Sequence, residues 1–162
     1  MALSTAQLAV LRAAILADPA LATQPMDGNG NGFIADAFNL LASPAFTVWK
    51  TSITLMEVGK AIRSSDVANL TTANTNRLTV TAAFSGGVFD PANLDTWAGF
   101  DDIFSVAGAA PTRANLLALR KRLAKRIEKL FATGTGSDLS PATLVFEGTI
   151  TPLDVDQARN LV

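Results

Sequence analysis

Apolar positions recur along this chain mostly at helical spacing. Leu8, Leu11, Ile15 and Leu16 line one side of the first segment and predict a helix over residues 5–17. Ser4 is placed to cap it, and Gln7, three residues on, completes a capping box. Residues 19–31 carry two prolines and the start of a glycine run and read as loop. A second helix is predicted over 32–42. Phe33, Ile34, Ala37, Phe38, Leu40 and Leu41 make it apolar almost all round, the pattern of a buried helix. Ser43-Pro44 ends it.

The β-branched and aromatic run at 46–54 is a short strand candidate. Helical segments follow near 55–62 and 65–70. A longer one at 72–84 stops at Ser85-Gly86-Gly87, a helix C-cap. Asp90 as N-cap and Pro91 at the first helical position start a helix to about 104, which presents Leu94, Trp97, Phe100, Ile103 and Phe104 on one side. The longest helix is predicted over 113–131, followed by a flexible connector at 132–141. Residues 143–150 are the second strand candidate. The two strand candidates either pair with each other or serve as arms that dock on neighbouring molecules. Thr151 and Asp154 form another capping box and open a short closing helix to about 160. The expected fold is mainly α: a compact helical bundle of about five to seven helices in one domain over 1–162, with at most one small two-stranded β element.

Composition sharpens this picture. Hydrophobic residues make up 49% and charged residues 17% of the 162, below the roughly 25% charged of ordinary globular domains, and mean hydropathy is +0.30. Polar surface is scarce for a free monomer, and exposed apolar area of this kind marks interfaces, so an oligomer or assembly component is expected. Cysteine, histidine and tyrosine are absent, which removes thiol and Ser-His nucleophiles and the usual zinc ligand sets. An enzyme would have to rely on carboxylates or lysine. No apolar run is long enough to span a membrane, and the N-terminus lacks the basic start of a secretory signal.

The stretch DGNGNGFIAD, residues 27–36, imitates a calcium loop. Asp27, Asn29 and Asn31 stand at ligand positions 1, 3 and 5, with Gly32 at position 6. Position 12, however, is Phe38 in place of the bidentate carboxylate, and Pro25 stands where an incoming helix belongs. The segment is therefore read as a glycine turn, with Asn31 capping the helix from Gly32. No metal or cofactor is expected. Asp101 and Asp102 are adjacent and do not face each other on a helix. Ser85-Gly86-Gly87 lacks the strand, lysine and spacing of a phosphate loop. Trp49 and Trp97 read as core or interface anchors.

The strongest electrical feature lies in 113–131. It holds Arg113, Arg120, Lys121, Arg122, Lys125, Arg126 and Lys129, seven of the chain's 13 basic residues, against a single acid, Glu128. On a continuous helix the stripe of Leu116, Leu119, Leu123, Ile127 and Leu130 puts these charges on the opposite face. Such a face suits an acidic protein surface, nucleic acid phosphates or an anionic membrane, or is simply solvated. Without interleaved aromatics, stacking on single strands is disfavoured. Arg120, Arg122, Lys125, Arg126 and Lys129 are the candidate contact residues; no catalytic residue is assigned.

ASPAFTVWKTSI (42–53), LFATGTG (130–136) and PATLVFEGTIT (141–151), followed by DVDQARNL, together with the opening LSTAQLAVLRAAILADPAL, resemble a family of small proteins encoded among the morphogenesis genes of tailed bacteriophages. The resemblance covers nearly the whole chain in order and carries no functional residues across. It implies a virion component, not an enzyme: a head-to-tail connector (adaptor or neck) subunit forming a ring between portal and tail. Its partners would be the portal and other neck or tail proteins, with passive contact to packaged DNA. A capsid decoration protein, a tail terminator or another accessory morphogenesis protein is the neighbouring alternative, and a DNA-binding accessory protein using the basic residues is another.

Overall fold

The computed structural model describes residues 3–161, with the side chain of Phe84 excepted. It is 56% helical, with ten helices and two small two-stranded sheets among the described residues. The mainly α expectation stands, with more and shorter helices than the sequence suggests. Two compact units are present where the sequence reading expects one domain. One unit combines the residues up to Val48 with those from Leu123 onward; the other is Trp49–Arg122. The second unit is thus an insertion in the first.

The first unit begins with α1 (Thr5–Ala17), capped by the Ser4/Gln7 box. Helix α2 (Pro19–Ala22) occupies part of the expected loop, capped by Asp18. Helix α3 (Gly28–Asn39) starts four residues earlier than expected. Its N-cap is Asp27, whose carboxylate accepts the Gly30 N–H at 2.8 Å. The DGNGNG segment is therefore helical backbone, and Asn31 lies inside the helix with its amide on Asp156. None of these three glycines has positive φ. Gly30 is needed for a different reason: a Cβ there would overlap the Pro25 carbonyl oxygen.

Leu11, Ile15, Ile34, Phe38, Ile127 and Val155 form the core of this unit. Burying an apolar side chain of this size is worth roughly 1.5–3 kcal/mol. The closing helix α10 (Pro152–Arg159) packs on α1 and α3. The expected all-round burial fails: Phe33, within α3, is exposed, and so are Leu40 and Leu41, which lie beyond its end at Asn39.

In the second unit, α4 (Leu55–Ala61) and α5 (Ser64–Val67) lie against α8 (Ala110–Leu119), while α6 (Thr72–Phe84) packs on α7 (Leu94–Ile103). Helix α7 is capped by Asn93 instead of Asp90, whose carboxylate closes a turn onto the Ala92 N–H. Phe89, Trp97 and Phe100 form an aromatic cluster with Ile53, Val58, Ile103, Phe104 and Leu116 around it. Gly86 and Gly87, at φ 62° and 84°, terminate α6 as expected.

Strand β1 (Thr47–Trp49) pairs with β4 (Lys121–Leu123), and β2 (Ile53–Thr54) pairs antiparallel with β3 (Val88–Phe89). Neither pairing joins 46–54 to a strand at 143–150. That second segment is irregular; an isolated bridge joins Thr143 to Thr133, and another joins Ala142, the residue before the segment, to Val48. The predicted long basic helix is also absent. Helix α8 stops at Leu119, β4 follows, and α9 (Arg126–Phe131) begins a new helix. Two backbone bonds show why. Lys50 N–H donates to the Arg120 carbonyl and Ala124 N–H to the Phe46 carbonyl, so pairing with the strand at 46–50 takes the groups a continuous helix would use. Tertiary pairing overrides helical propensity here.

Candidate interaction groove in the first unit

The C-terminal ends of α1 and α3, the segment 40–43 and α9 enclose an open groove of about 820 Å³. Phe38, nearly fully buried, and Ala42 form its floor; Ala14, Ala17, Ala37 and Leu130 contribute to its walls. Leu40 and Leu41 line it too while remaining 67% and 61% exposed. These two leucines are not loose. The Leu40 carbonyl accepts the Arg126 N–H at 2.8 Å, Ala42 N–H donates to the Ala124 carbonyl at 3.0 Å, and Leu41 bridges to Lys125. The backbone is tied down, so both leucines are kept beside the groove.

Three charges edge this apolar surface: Asp18, Arg126 and Lys129. The Arg126 guanidinium donates to the Asp18 carboxylate at 2.8 Å and lies 4.5 Å above the Phe38 ring centre. That hydrogen bond, ahead of the Ala20 N–H, holds the Asp18 carboxyl below its ordinary range. With Asp18 and Arg126 paired, Lys129 leaves the rim net positive; its ammonium sits 5.4 Å from the Phe46 ring centre.

The five candidate contact residues do not share one face. Arg126 and Lys129 belong to the groove. Lys125, N-terminal to α9, turns its ammonium to the Gly148 carbonyl at 3.2 Å. Arg122 lies in β4 in the other unit. Arg120 is buried in that unit between Trp49 and Trp97, with Nε on the Pro91 carbonyl at 2.9 Å. Burial pushes its pKa down, an effect that Asp90 opposes. It is a core residue rather than a contact residue.

Asp101 and Asp102 do not pair with each other: they form exposed ion pairs with Arg113 and Arg77 respectively. Sequence reasoning missed Asp18, Leu40 and Leu41 as groove residues. The one legible signal is the Leu40-Leu41 pair shortly before Ser43-Pro44, where apolar residues continue up to the point at which a helix must stop. No group of three or more acidic residues is arranged to hold a metal ion, and no helix is long and apolar enough to cross a membrane, among the described residues. Comparisons with protein-family models, with curated proteins and with solved structures find no match.

Proposed function

We propose that this chain is a non-enzymatic structural subunit of a tailed-phage virion, a head-to-tail connector that joins portal and tail as part of a homo-oligomeric ring. The groove edged by Leu40 and Leu41 is the observation that carries this reading. A subunit that keeps leucines in water beside an open apolar groove gains by covering them with another protein surface. A positive rim favours an acidic partner and sets register and encounter rate more than affinity. The phage resemblance of the opening, middle and closing phrases supplies the class of assembly, and with it a place in the virion.

The DNA-binding alternative loses its main support, because the continuous basic face on which it rests is not formed: Arg120 is buried and Arg126 is ion-paired. Light scattering on the purified protein, alone and with the cognate portal, tests the connector reading. A defined ring assembled on the portal is expected. A protein that leaves the portal's mass unchanged overturns the reading and turns attention to capsid and tail partners.

A further inference from the structure

Helix α1 presents two stripes to solvent. Ala14, Ala17 and Asp18 line the groove, whereas Ala9, Arg12, Ala13 and Leu16 lie on the opposite flank of the helix. Two open hollows meet on that second flank. One, of about 380 Å³, is walled by Ala9, Ala13 and Leu161; the other, of about 120 Å³, by Ile15, Ala22, Met26 and Arg159. Arg12 and Leu16 border both. Leu16 and Met26 are each 63% exposed, so the apolar part of this surface is uncovered. Its charge is uncovered too. Arg12 is half-buried, and among the described residues it has no hydrogen-bond or ion-pair partner. The Arg159 guanidinium is fixed by the Pro25 and Gln24 carbonyls and the Asn31 side-chain oxygen, all neutral acceptors. Its charge is left unanswered, with N–H donors to spare.

We propose that this flank of α1 binds a segment of a partner protein in which one carboxylate side chain has apolar neighbours. The carboxylate meets Arg12 and Arg159, and its neighbours enter the two hollows and cover Leu16 and Met26. Two cations bordering one small hollow repel each other, and a shared anion answers both. A carboxylate matches the planar donors of a guanidinium. A phosphate, free or in nucleic acid, would answer the charges but leave Leu16 and Met26 in water. The chain of a fatty acid needs an enclosing pocket, and these hollows are open. This surface is distinct from the groove, and it stands whether or not the chain is a connector.

The test is an NMR titration of the full-length, isotope-labelled chain with the peptide acetyl-Leu-Glu-Leu-amide. Acetyl-Leu-Gln-Leu-amide, acetate and inorganic phosphate are the comparisons, and the arginine Nε–H and backbone N–H signals are the readout. Saturable shifts are expected at Arg12, Leu16, Met26 and Arg159. The glutamine peptide should bind about tenfold more weakly, the loss that goes with removing a charged hydrogen bond. Acetate and phosphate should also bind more weakly than the glutamate peptide. Arg12→Gln is expected to bring the glutamate peptide down to the level of the glutamine one, and Leu16→Ser to weaken both peptides. Arg12 holds no bond in the fold and Leu16 is exposed, so both variants keep the wild-type fold, checked by thermal melts. Arg159 is left intact because its bonds are structural. Equal affinity for the two peptides overturns the proposal, as does acetate or phosphate binding as tightly as the glutamate peptide. Shifts confined to the groove, or no saturable shift at all, overturn it equally.

Discussion

The Arg120 guanidinium carbon lies 4.6 Å from the centre of the Trp49 ring and 5.1 Å from that of Trp97, so one buried cation is faced by both tryptophans of the chain. Its Nε is satisfied by the Pro91 carbonyl, while Nη2 is buried with no protein acceptor. The cation–π geometry is favourable, but the charge has been taken out of water with incomplete hydrogen bonding.

The balance predicts different results for two substitutions at Arg120. Met keeps most of the length between the rings and removes the buried charge, so Arg120→Met changes stability by less than about 1.5 kcal/mol in either direction. Ala leaves a cavity between the rings, and Arg120→Ala costs about 2–4 kcal/mol. Urea denaturation followed by tryptophan emission measures both, since the only two fluorophores of this kind face the site. An Arg120→Met variant as unstable as Arg120→Ala would mean that the cation itself holds this core together.

Asp66 predicts acid sensitivity. The Thr112 hydroxyl donates to its carboxylate at 2.7 Å, the Thr112 N–H at 3.0 Å and the Ser65 hydroxyl at 3.1 Å. These bonds, the Thr112 hydroxyl foremost, hold the Asp66 carboxyl below its ordinary range. The unfolded chain therefore takes up the proton first as pH falls. The stabilisation is fully present above the unfolded value of about 3.9 and is lost as pH drops below it through the lower folded value. Denaturant midpoints measured from pH 7 to pH 2 are expected to fall mainly below pH 4, and to fall less in Thr112→Val, which starts from a lower midpoint. An equal acid response in wild type and Thr112→Val would remove Asp66 from the account.

Local signals in the sequence were strong wherever a helix is governed by its own ends. The Ser4/Gln7 box, Thr151 with Asp154, and the Gly86-Gly87 stop each fix a boundary through groups within three or four residues, and α1 and α6 match their expected spans. The expectation for 113–131 failed because its outcome is decided by residues some 75 positions away. The strand at 46–50 claims the backbone of 120–124, and no helical periodicity reports that competition. The groove was hidden for the same reason. Asp18 and Arg126 are 108 residues apart, and nothing local to either announces the other.

The glycine run of α3 gives a contrast within one helix. Gly32 sits in helical backbone with nothing within reach of an added Cβ, and it costs conformational entropy without supplying a turn. Gly32→Ala is expected to stabilise by about 0.5–1 kcal/mol. Gly30→Ala, two residues earlier, drives a methyl group into the Pro25 carbonyl and is expected to destabilise in spite of the same propensity gain. Thermal melts of the two single variants check the pair. Stabilisation by both would mean that the Pro25 segment moves aside at no cost.

Arg159 predicts which contact secures the end of the chain to this unit. Its Nη1 donates to the Pro25 carbonyl and the Asn31 side-chain oxygen, both at 2.8 Å, and its Nη2 to the Gln24 carbonyl at 2.6 Å. Asn31 is buried, and its amide nitrogen is already committed to Asp156, so loss of the guanidinium strands a buried oxygen. A guanidinium reaches three acceptors from one fixed plane, whereas an ammonium at a single point does not. Arg159→Ala is expected to cost about 2–3 kcal/mol, set by the charged hydrogen bonds and the stranded acceptor. Arg159→Lys is expected to recover less than half of that loss. Hydrogen exchange adds a local readout: amides of α10 and of the first turn of α3 should lose protection together in both variants. Faster exchange confined to α10, with the start of α3 unchanged, would show that α3 is held by its Asp27 cap and the Pro25 approach alone.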